Sequence, residues 1–325
     1  MNAAVVTRYG PPEVVELRDL PDPRPRAGEV LIRVHASAVT AADWRMRSGD
    51  APRGFGLLMR LVLGWRGPRR GVLGITMAGE VIALGEGVTR FALGDRVFAL
   101  TSARMGGHAE RAVVRASDAI AVIAAGISVE TAAALPDGGP TAFHFLNEKG
   151  GIKAGDRVLI NGASGGVGTA AVQLARYFGA EVTAVTSAAN AELASRLGAS
   201  RVIDYQTTDF ATEGVRYDLI LDTVGNCPYA RARPALADGG RLLLVATDLM
   251  GTLGAILRPR RHAGHRIVAG VAPEKREVLE LLMQLAARGL LTAPIDRVYR
   301  LNEIRAAHAH VETRRKRGSV IVRLD

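Results

Sequence analysis

The chain has 325 residues, 48% hydrophobic and 23% charged, with a formal net charge of +10. At about 100–200 residues per domain this is a two-domain length, and the composition excludes a disordered chain or a collagen-like fibre. The single cysteine, Cys227, excludes a disulfide framework and a four-cysteine zinc lobe, and makes a reducing, cytoplasmic setting the expectation.

The first third reads as short strands between turns. Glu29–Val34, Gly79–Leu84 and Arg96–Leu100 are strand candidates, punctuated by Pro11-Pro12, Gly85-Glu86-Gly87 and Gly94-Asp95. This pattern predicts a partly open β-barrel. The apolar stretch from Arg53 to Gly71, with Leu57, Leu61, Val62 and Trp65, predicts either a buried helix or an apolar pocket wall. From about Ala124 the period changes. Strands at Arg157–Asn161, Glu181–Thr186, Leu219–Thr223 and Arg241–Ala246 alternate with helices at Gly165–Phe178 and Ala191–Leu197. Such alternation predicts a doubly wound parallel sheet, so the fold class is α/β. An amphipathic helix at Pro273–Gly289, a helix near Leu301–Thr313 and a strand at Ser319–Leu324 close the chain. The expected division is 1–123, 124–265 and 266–325. No run of about 20 apolar residues predicts a membrane span, and MNAAVVTRYG lacks the pattern of a secretory signal.

The segment RVLINGASGGVGTAAVQLAR, Arg157–Arg176, joins a β-branched strand to a glycine-rich turn and a helix. Gly165, Gly166 and Gly168 remove side chains where backbone must approach a pyrophosphate, with Ser164 and Val167 in the same turn. The helix start adds free N–H groups and a positive dipole end. The flanking strands complete a dinucleotide-binding unit. An acid about 20 residues after the glycines would bind the ribose of NADH. The stretch Val182–Asn190 has none, which favours NADPH over NADH, with Ser187, Asn190 and Tyr205 as phosphate donors and Arg196 or Arg201 as the cationic partner.

Six ordered motifs resemble the medium-chain dehydrogenase/reductase superfamily, nearest its zinc-independent quinone oxidoreductase and enoyl reductase branch. They are GEVLIRVHASAVTAADW (Gly28–Trp44), MAGEVIALGEGVTRFALGDRV (Met77–Val97), GASGGVG (Gly162–Gly168), LGASRVIDY (Leu197–Tyr205), YDLILDTVG (Tyr217–Gly225) and RGSVIVRL (Arg317–Leu324). The resemblance implies a GroES-like catalytic domain built from both chain ends, a Rossmann domain between them, and a homodimer. It also implies cofactor contacts at Thr141, Val224, Ala246 and Val271. The positions that hold catalytic zinc in the family's alcohol dehydrogenases carry Thr40, Ile75, Thr76 and Asp137. Zinc needs three or four N, S or carboxylate donors, and Asp137 alone is a good one, so no metal is expected.

Without a metal, the acceptor must be polarised by hydrogen bonds, which favours small electrophiles such as quinones and α,β-unsaturated carbonyls. Thr40, Asp43 and Trp44 are the candidate donors. Asp43 reads equally well as a loop anchor. Asp137, buried, could stay neutral and give a proton, or could simply form a turn. His262, His265, His308 and His310 read as solvated, and His35 and His108 as packing residues. The arginine-rich stretches Arg258–Arg266 and Arg314–Arg317 lack interleaved aromatics, which speaks for solvated faces rather than a nucleic-acid site. Other readings remain open: an alcohol dehydrogenase or carbonyl reductase, a non-catalytic NADPH-binding relative, or an RNA-binding one.

Overall fold

A computed structural model describes residues 1–51, 54–69, 71–101, 104–246 and 264–324. The chain divides into two compact units. One comprises residues 1–51, 56–137 and 274–325, the other residues 52–55 and 138–273.

The first unit opens with an antiparallel pair, β1 (Asn2–Val6) and β2 (Val15–Asp19). Its main sheet uses β3 (Glu29–Val39), β4 (Thr76–Leu84), β5 (Arg96–Leu100), β6 (Arg111–Arg115) and β7 (Ala119–Val122), completed from the far end of the chain by β14 (Ile295–Arg300) and β15 (Ser319–Arg323). The strand order is β14-β15-β3-β4-β5-β7, with β6 also on β3, and the sheet does not close into a barrel. Strand β3 runs five residues past its expected end. The small residues Ala36, Ser37 and Ala38 are buried there, and its second half pairs with β15 while its first half pairs with β6. Arg33 interrupts the apolar run because it lies on the exposed face, opposite Glu80 of β4 at 3.9 Å. The other face packs Val30, Ile32, Met77, Val97 and Ile120 into one core.

In the helix Gly56–Leu63, Leu57 is 63% exposed, Leu61 56% and Val62 62%, and none of its described side chains is buried. The buried-helix alternative therefore falls.

The second unit is a six-stranded parallel sheet of β8 (Arg157–Asn161), β9 (Glu181–Thr186), β10 (Arg201–Asp204), β11 (Tyr217–Asp222), β12 (Leu236–Leu244) and β13 (Arg266–Ala269). The order is β10-β9-β8-β11-β12-β13. Winding runs outward from the centre in both directions, so it reverses between β8 and β11, where open α/β sheets bind ligands. The observed unit boundaries differ from those expected at 124 and 265. The helix Val129–Ala134, capped by Ser128, packs on β3 and β4 of the first unit. Residues 266–269, expected in the returning segment, instead form the sixth strand of the parallel sheet.

Candidate active site

The turn after β8 is shaped by steric necessity at two glycines and by openness at a third. Gly162 has φ +85°, and a Cβ there would lie 2.5 Å from Thr223 Oγ1 and 2.6 Å from Val224 Cγ2. A Cβ on Gly168 would lie 2.1 Å from the Gly162 carbonyl, so the helix can pack onto the turn only without a side chain. At Gly165 a Cβ would meet nothing nearer than 3.8 Å. The helix Gly166–Tyr177 begins at that open place with no side-chain cap. Its first-turn N–H groups, those of Gly166, Val167 and Gly168, have no helical acceptor. Uncapped donors beside a side-chain-free surface fit the diphosphate of a dinucleotide. Gly138 is pressed against the same helix start, where its Cβ would be 2.5 Å from Val167 N. It leads straight into the helix Gly139–Phe143, which carries a half-buried Thr141.

The other expected cofactor residues share one topological address. Ser164, Ser187, Tyr205, Val224, Ala246 and Val271 follow the carboxyl ends of β8 to β13 in turn. Ser164 ties two ends together, its Oγ accepting from Thr186 Oγ1 at 3.0 Å and from Asn190 Nδ2 at 3.1 Å. Ser187 precedes a short 3-10 turn and makes no capping bond. The Tyr205 ring is exposed, and its N–H donates to the Thr186 carbonyl at 3.1 Å. Neither expected cationic partner joins them. Arg201 opens β10, the end opposite Tyr205, and pairs with Glu213. Arg196 closes the helix Ala191–Arg196 and pairs with Glu192 at 3.0 Å. Thr247, His262 and the start of the Arg258–Arg266 stretch lie outside the described residues.

Asp222 is a residue that sequence reasoning missed. It ends β11 almost wholly buried. Its Oδ1 accepts from the N–H groups of Val224 (3.0 Å) and Gly225 (3.1 Å) and from Asn161 Nδ2 (2.9 Å), and its Oδ2 from the Cys227 N–H (3.0 Å). A single carboxylate thus folds the loop that follows β11 and joins it to β8. The Val224, Gly225 and Cys227 amides are committed to it and are not donors to a ligand. Cys227 is buried beneath it, and burial together with the nearby Asp222 charge pushes its thiol up to about 12. An acid at the end of an apolar strand was the available signal.

The three residues singled out as catalytic gather in the first unit. Thr40 caps the helix Ala41–Ser48 in a capping box with Asp43. Thr40 Oγ1 donates to Asp43 Oδ2 at 2.7 Å, and the Thr40 N–H donates to the same oxygen at 2.8 Å. The Gly74 N–H donates to Asp43 Oδ1 at 2.9 Å. Asp43 is therefore the loop anchor, and the Thr40 hydroxyl proton is already committed, which corrects its reading as a free donor. The indole Nε1–H of Trp44 is buried with no partner among the described residues.

Asp137, read either as a neutral acid or as a turn former, is paired with a cation. Its Oδ2 accepts from Lys316 Nζ at 2.7 Å and Ser319 Oγ at 3.0 Å. Burial, the larger influence, pushes its carboxyl above the usual range, and the Asp43 charge adds to this, while Lys316 opposes both. Lys316 also donates to the Gly318 carbonyl at 2.8 Å and is only 11% exposed. Lys316 is thus the exception in Arg314–Arg317, whose three arginines are exposed as expected. Lys316 is one of four lysines against 38 arginines, but nothing in the sequence points to Asp137 as its partner.

Three histidines read as solvated, His265, His308 and His310, differ from expectation, whereas His108 packs as expected. His308 is fully buried, with neither ring nitrogen partnered among the described residues, edge-on to the equally buried His108 at 5.6 Å. Burial lowers the pKa of both rings, that of His308 farthest. His310 pairs with Asp296 at 2.6 Å, and His265 is buried against the Tyr229 hydroxyl.

The donor chemistry does not fit a zinc ion. Thr40 is held in its capping box, Ile75 offers no donor atom, and Thr76 Oγ1 accepts from the Ala38 N–H at 3.0 Å. Asp137 already carries an ammonium, which a dication would have to displace.

A parallel sheet with a glycine cradle at its switch point in one unit, and an open GroES-like sheet in the other, define a nucleotide-dependent oxidoreductase fold. Comparison with known proteins narrows this. Residues 26–134 match the alcohol dehydrogenase GroES-like domain and residues 197–322 the zinc-binding dehydrogenase family. The quinone oxidoreductase of Sus scrofa is 32% identical over 98% of this chain and 95% of its own length. That of Pseudomonas aeruginosa is 30% identical over 97% of each. The solved quinone oxidoreductase of Coxiella burnetii superposes with a TM-score of 0.89 at 29% identity, covering 100% of this chain and 99% of that one. The chain belongs to the medium-chain dehydrogenase/reductase superfamily.

Proposed function

We propose that this oxidoreductase uses NADPH to reduce quinones or α,β-unsaturated carbonyl compounds, without zinc. The observation that carries the reading is the uncapped glycine cradle at the sheet's switch point, with no acid at the end of β9. The first-turn amides of Gly166 to Gly168 would hold the diphosphate, and Thr141 would lie along the nicotinamide ribose. Ser187, Asn190 and Tyr205 would meet the 2′-phosphate through neutral donors. With Arg196 and Arg201 turned away, we expect the preference for NADPH over NADH to be modest.

The bound nicotinamide supplies the hydride. The zinc positions lack a metal-binding donor set, so acceptor activation falls to hydrogen bonds, which suffices for electron-poor, conjugated acceptors and poorly for plain ketones. A homodimer working in a reducing cytoplasm completes the reading, and a monomer mass at micromolar concentration would remove the dimer.

The test is oxidation of NADPH, with NADH in parallel, against a quinone, an enone, a conjugated enal and a plain ketone, all with chelator present. Turnover on the conjugated acceptors is expected. Turnover confined to the ketone, or abolished by chelator, would overturn the assignment.

A further inference from the structure

The helix Gly56–Leu63 and the turn after it turn apolar side chains to solvent. Leu57 and Leu61, one helical turn apart on the same side, are exposed, as are Val62 and, beyond the helix end, Trp65 at 60%. The segment is nonetheless firmly held within the first unit. Tyr9, just past β1, donates its hydroxyl to the Gly64 carbonyl at 2.7 Å and its N–H to the Arg66 carbonyl at 3.3 Å. The Val6 N–H donates to the Gly71 carbonyl at 2.7 Å. A Cβ on Gly67 would lie 2.3 Å from the Thr7 carbonyl oxygen, so the turn presses directly on the exit of β1. The exposed residues therefore stand on a fixed platform, and exposed apolar groups gathered within a polar rim mark contact surfaces.

Charge narrows the kind of partner. From Ala51 to Gly79 the sequence has no acid and carries arginines at 53, 60, 66, 69 and 70. Arg60, Arg66 and Arg69 are exposed, as is Arg8 beside Tyr9, and none of these four forms an ion pair among the described residues. Arg60 lies over the Tyr9 ring at 5.9 Å, which keeps it next to the patch. A nucleic acid would meet these cations but gain nothing from leucine and valine, which offer no ring for a base to stack on. A second copy of the chain would bring its own arginines against these. A bilayer containing anionic lipids matches both features at once. It offers negative headgroups to the arginines, acyl chains to Leu57, Leu61 and Val62, and a polar–apolar boundary to the indole.

We propose that this helix and turn bind the surface of anionic phospholipid bilayers, with Leu57, Leu61, Val62 and Trp65 entering the acyl boundary and Arg60, Arg66 and Arg69 meeting the headgroups. The contact is with the surface: among the described residues no helix is long and apolar enough to cross a membrane. The inference is independent of the reductase reading, because the binding needs neither cofactor nor acceptor.

The test is flotation of the purified full chain with vesicles of phosphatidylcholine and phosphatidylglycerol, beside vesicles of phosphatidylcholine alone, at low and high salt. The protein should float with the anionic vesicles, weakly with the neutral ones, and less at high salt. Tryptophan emission should shift to the blue on binding. Trp65→Phe should remove that shift, because Trp44, the other tryptophan, is already buried. Leu57→Ser, Leu61→Ser and Val62→Ser combined should weaken binding about 100-fold, the scale of partly burying three apolar side chains. Arg66→Gln and Arg69→Gln should each weaken it about fivefold, the scale of one cation near an anionic surface. All five side chains are exposed, so the melting temperature should not move.

Absence of flotation with the anionic vesicles would overturn the proposal, whatever the turnover. So would flotation that the serine variant and salt leave unchanged. A serine variant that keeps its vesicle binding but passes from dimer to monomer would assign the patch to a second copy. One that keeps its vesicle binding but raises KM for a water-soluble quinone would make the helix a pocket wall, and either result would overturn the membrane contact.

Discussion

The glycine cradle after β8 and the polar cluster around Asp43 are built on opposite plans. The cradle works by omission: side chains are missing at Gly162 and Gly168 because neighbouring atoms leave no room, and at Gly165 the surface is left bare. Its donors are backbone amides, fixed wherever the helix starts. The polar cluster works by assembly within the first unit: Asp43 takes donors from Thr40 and from the Gly74 backbone, and Asp137 takes donors from Lys316 and Ser319. A site made of backbone tolerates little change in shape, whereas a site made of side chains tolerates little change in partner.

Four experiments probe this contrast. The largest effect is expected from Asp43→Ala. It strips the acceptor from the Thr40 and Gly74 amides, and two buried unpaired donors should cost about 3 kcal/mol, read as a fall in the urea midpoint. A smaller loss would mean that water reaches the cluster.

Gly165→Asp should leave melting nearly unchanged, because its Cβ has room, yet weaken NADPH about 100-fold by placing a carboxylate against the diphosphate. Gly165→Ala is the steric control. Equal weakening by both would show that shape, not charge, matters at that position.

The buried histidine pair predicts acid sensitivity. His108 and His308 have folded-state pKa values depressed below the ordinary 6.5. Above pH 6.5 both are neutral whether folded or not, and no penalty arises. Below it the unfolded chain takes up protons that the folded one refuses. Stability should then fall by as much as about 1.4 kcal/mol per pH unit for each ring. His308→Leu should flatten the midpoint measured between pH 7.5 and pH 5; an unchanged slope would assign the acid sensitivity elsewhere.

The smallest effect concerns cofactor choice. Ser187→Asp supplies the missing acid at the end of β9 and should shift the ratio of kcat/KM values about tenfold toward NADH. No shift would place the 2′-phosphate away from this strand end.

Legibility from sequence followed the same division. The alternation of strand and helix, the glycine turn and its strand-end neighbours announce themselves locally, because each signal lies within a few residues of the structure it dictates. The EVLIRV pattern marks only the first half of β3, and it is the pairing of β15 with Ala36–Val39, from the far end of the chain, that carries the strand on. Asp137 could be noticed as an acid before two glycines, but not its partner. The Lys316 contact depends on how the end of the chain returns, and no local pattern encodes that. The histidines failed for the related reason that a polar residue on an amphipathic helix looks solvated until the element covering it is known.

Cys227 carries a last consequence. The acceptors proposed for this protein are Michael acceptors, which alkylate thiols, and the thiolate is the reactive species. The chain's single sulfhydryl is 1% exposed, and its pKa of about 12 keeps it protonated at neutral pH. Native protein should therefore ignore maleimide, and the rate of labelling should report how often the loop after β11 opens.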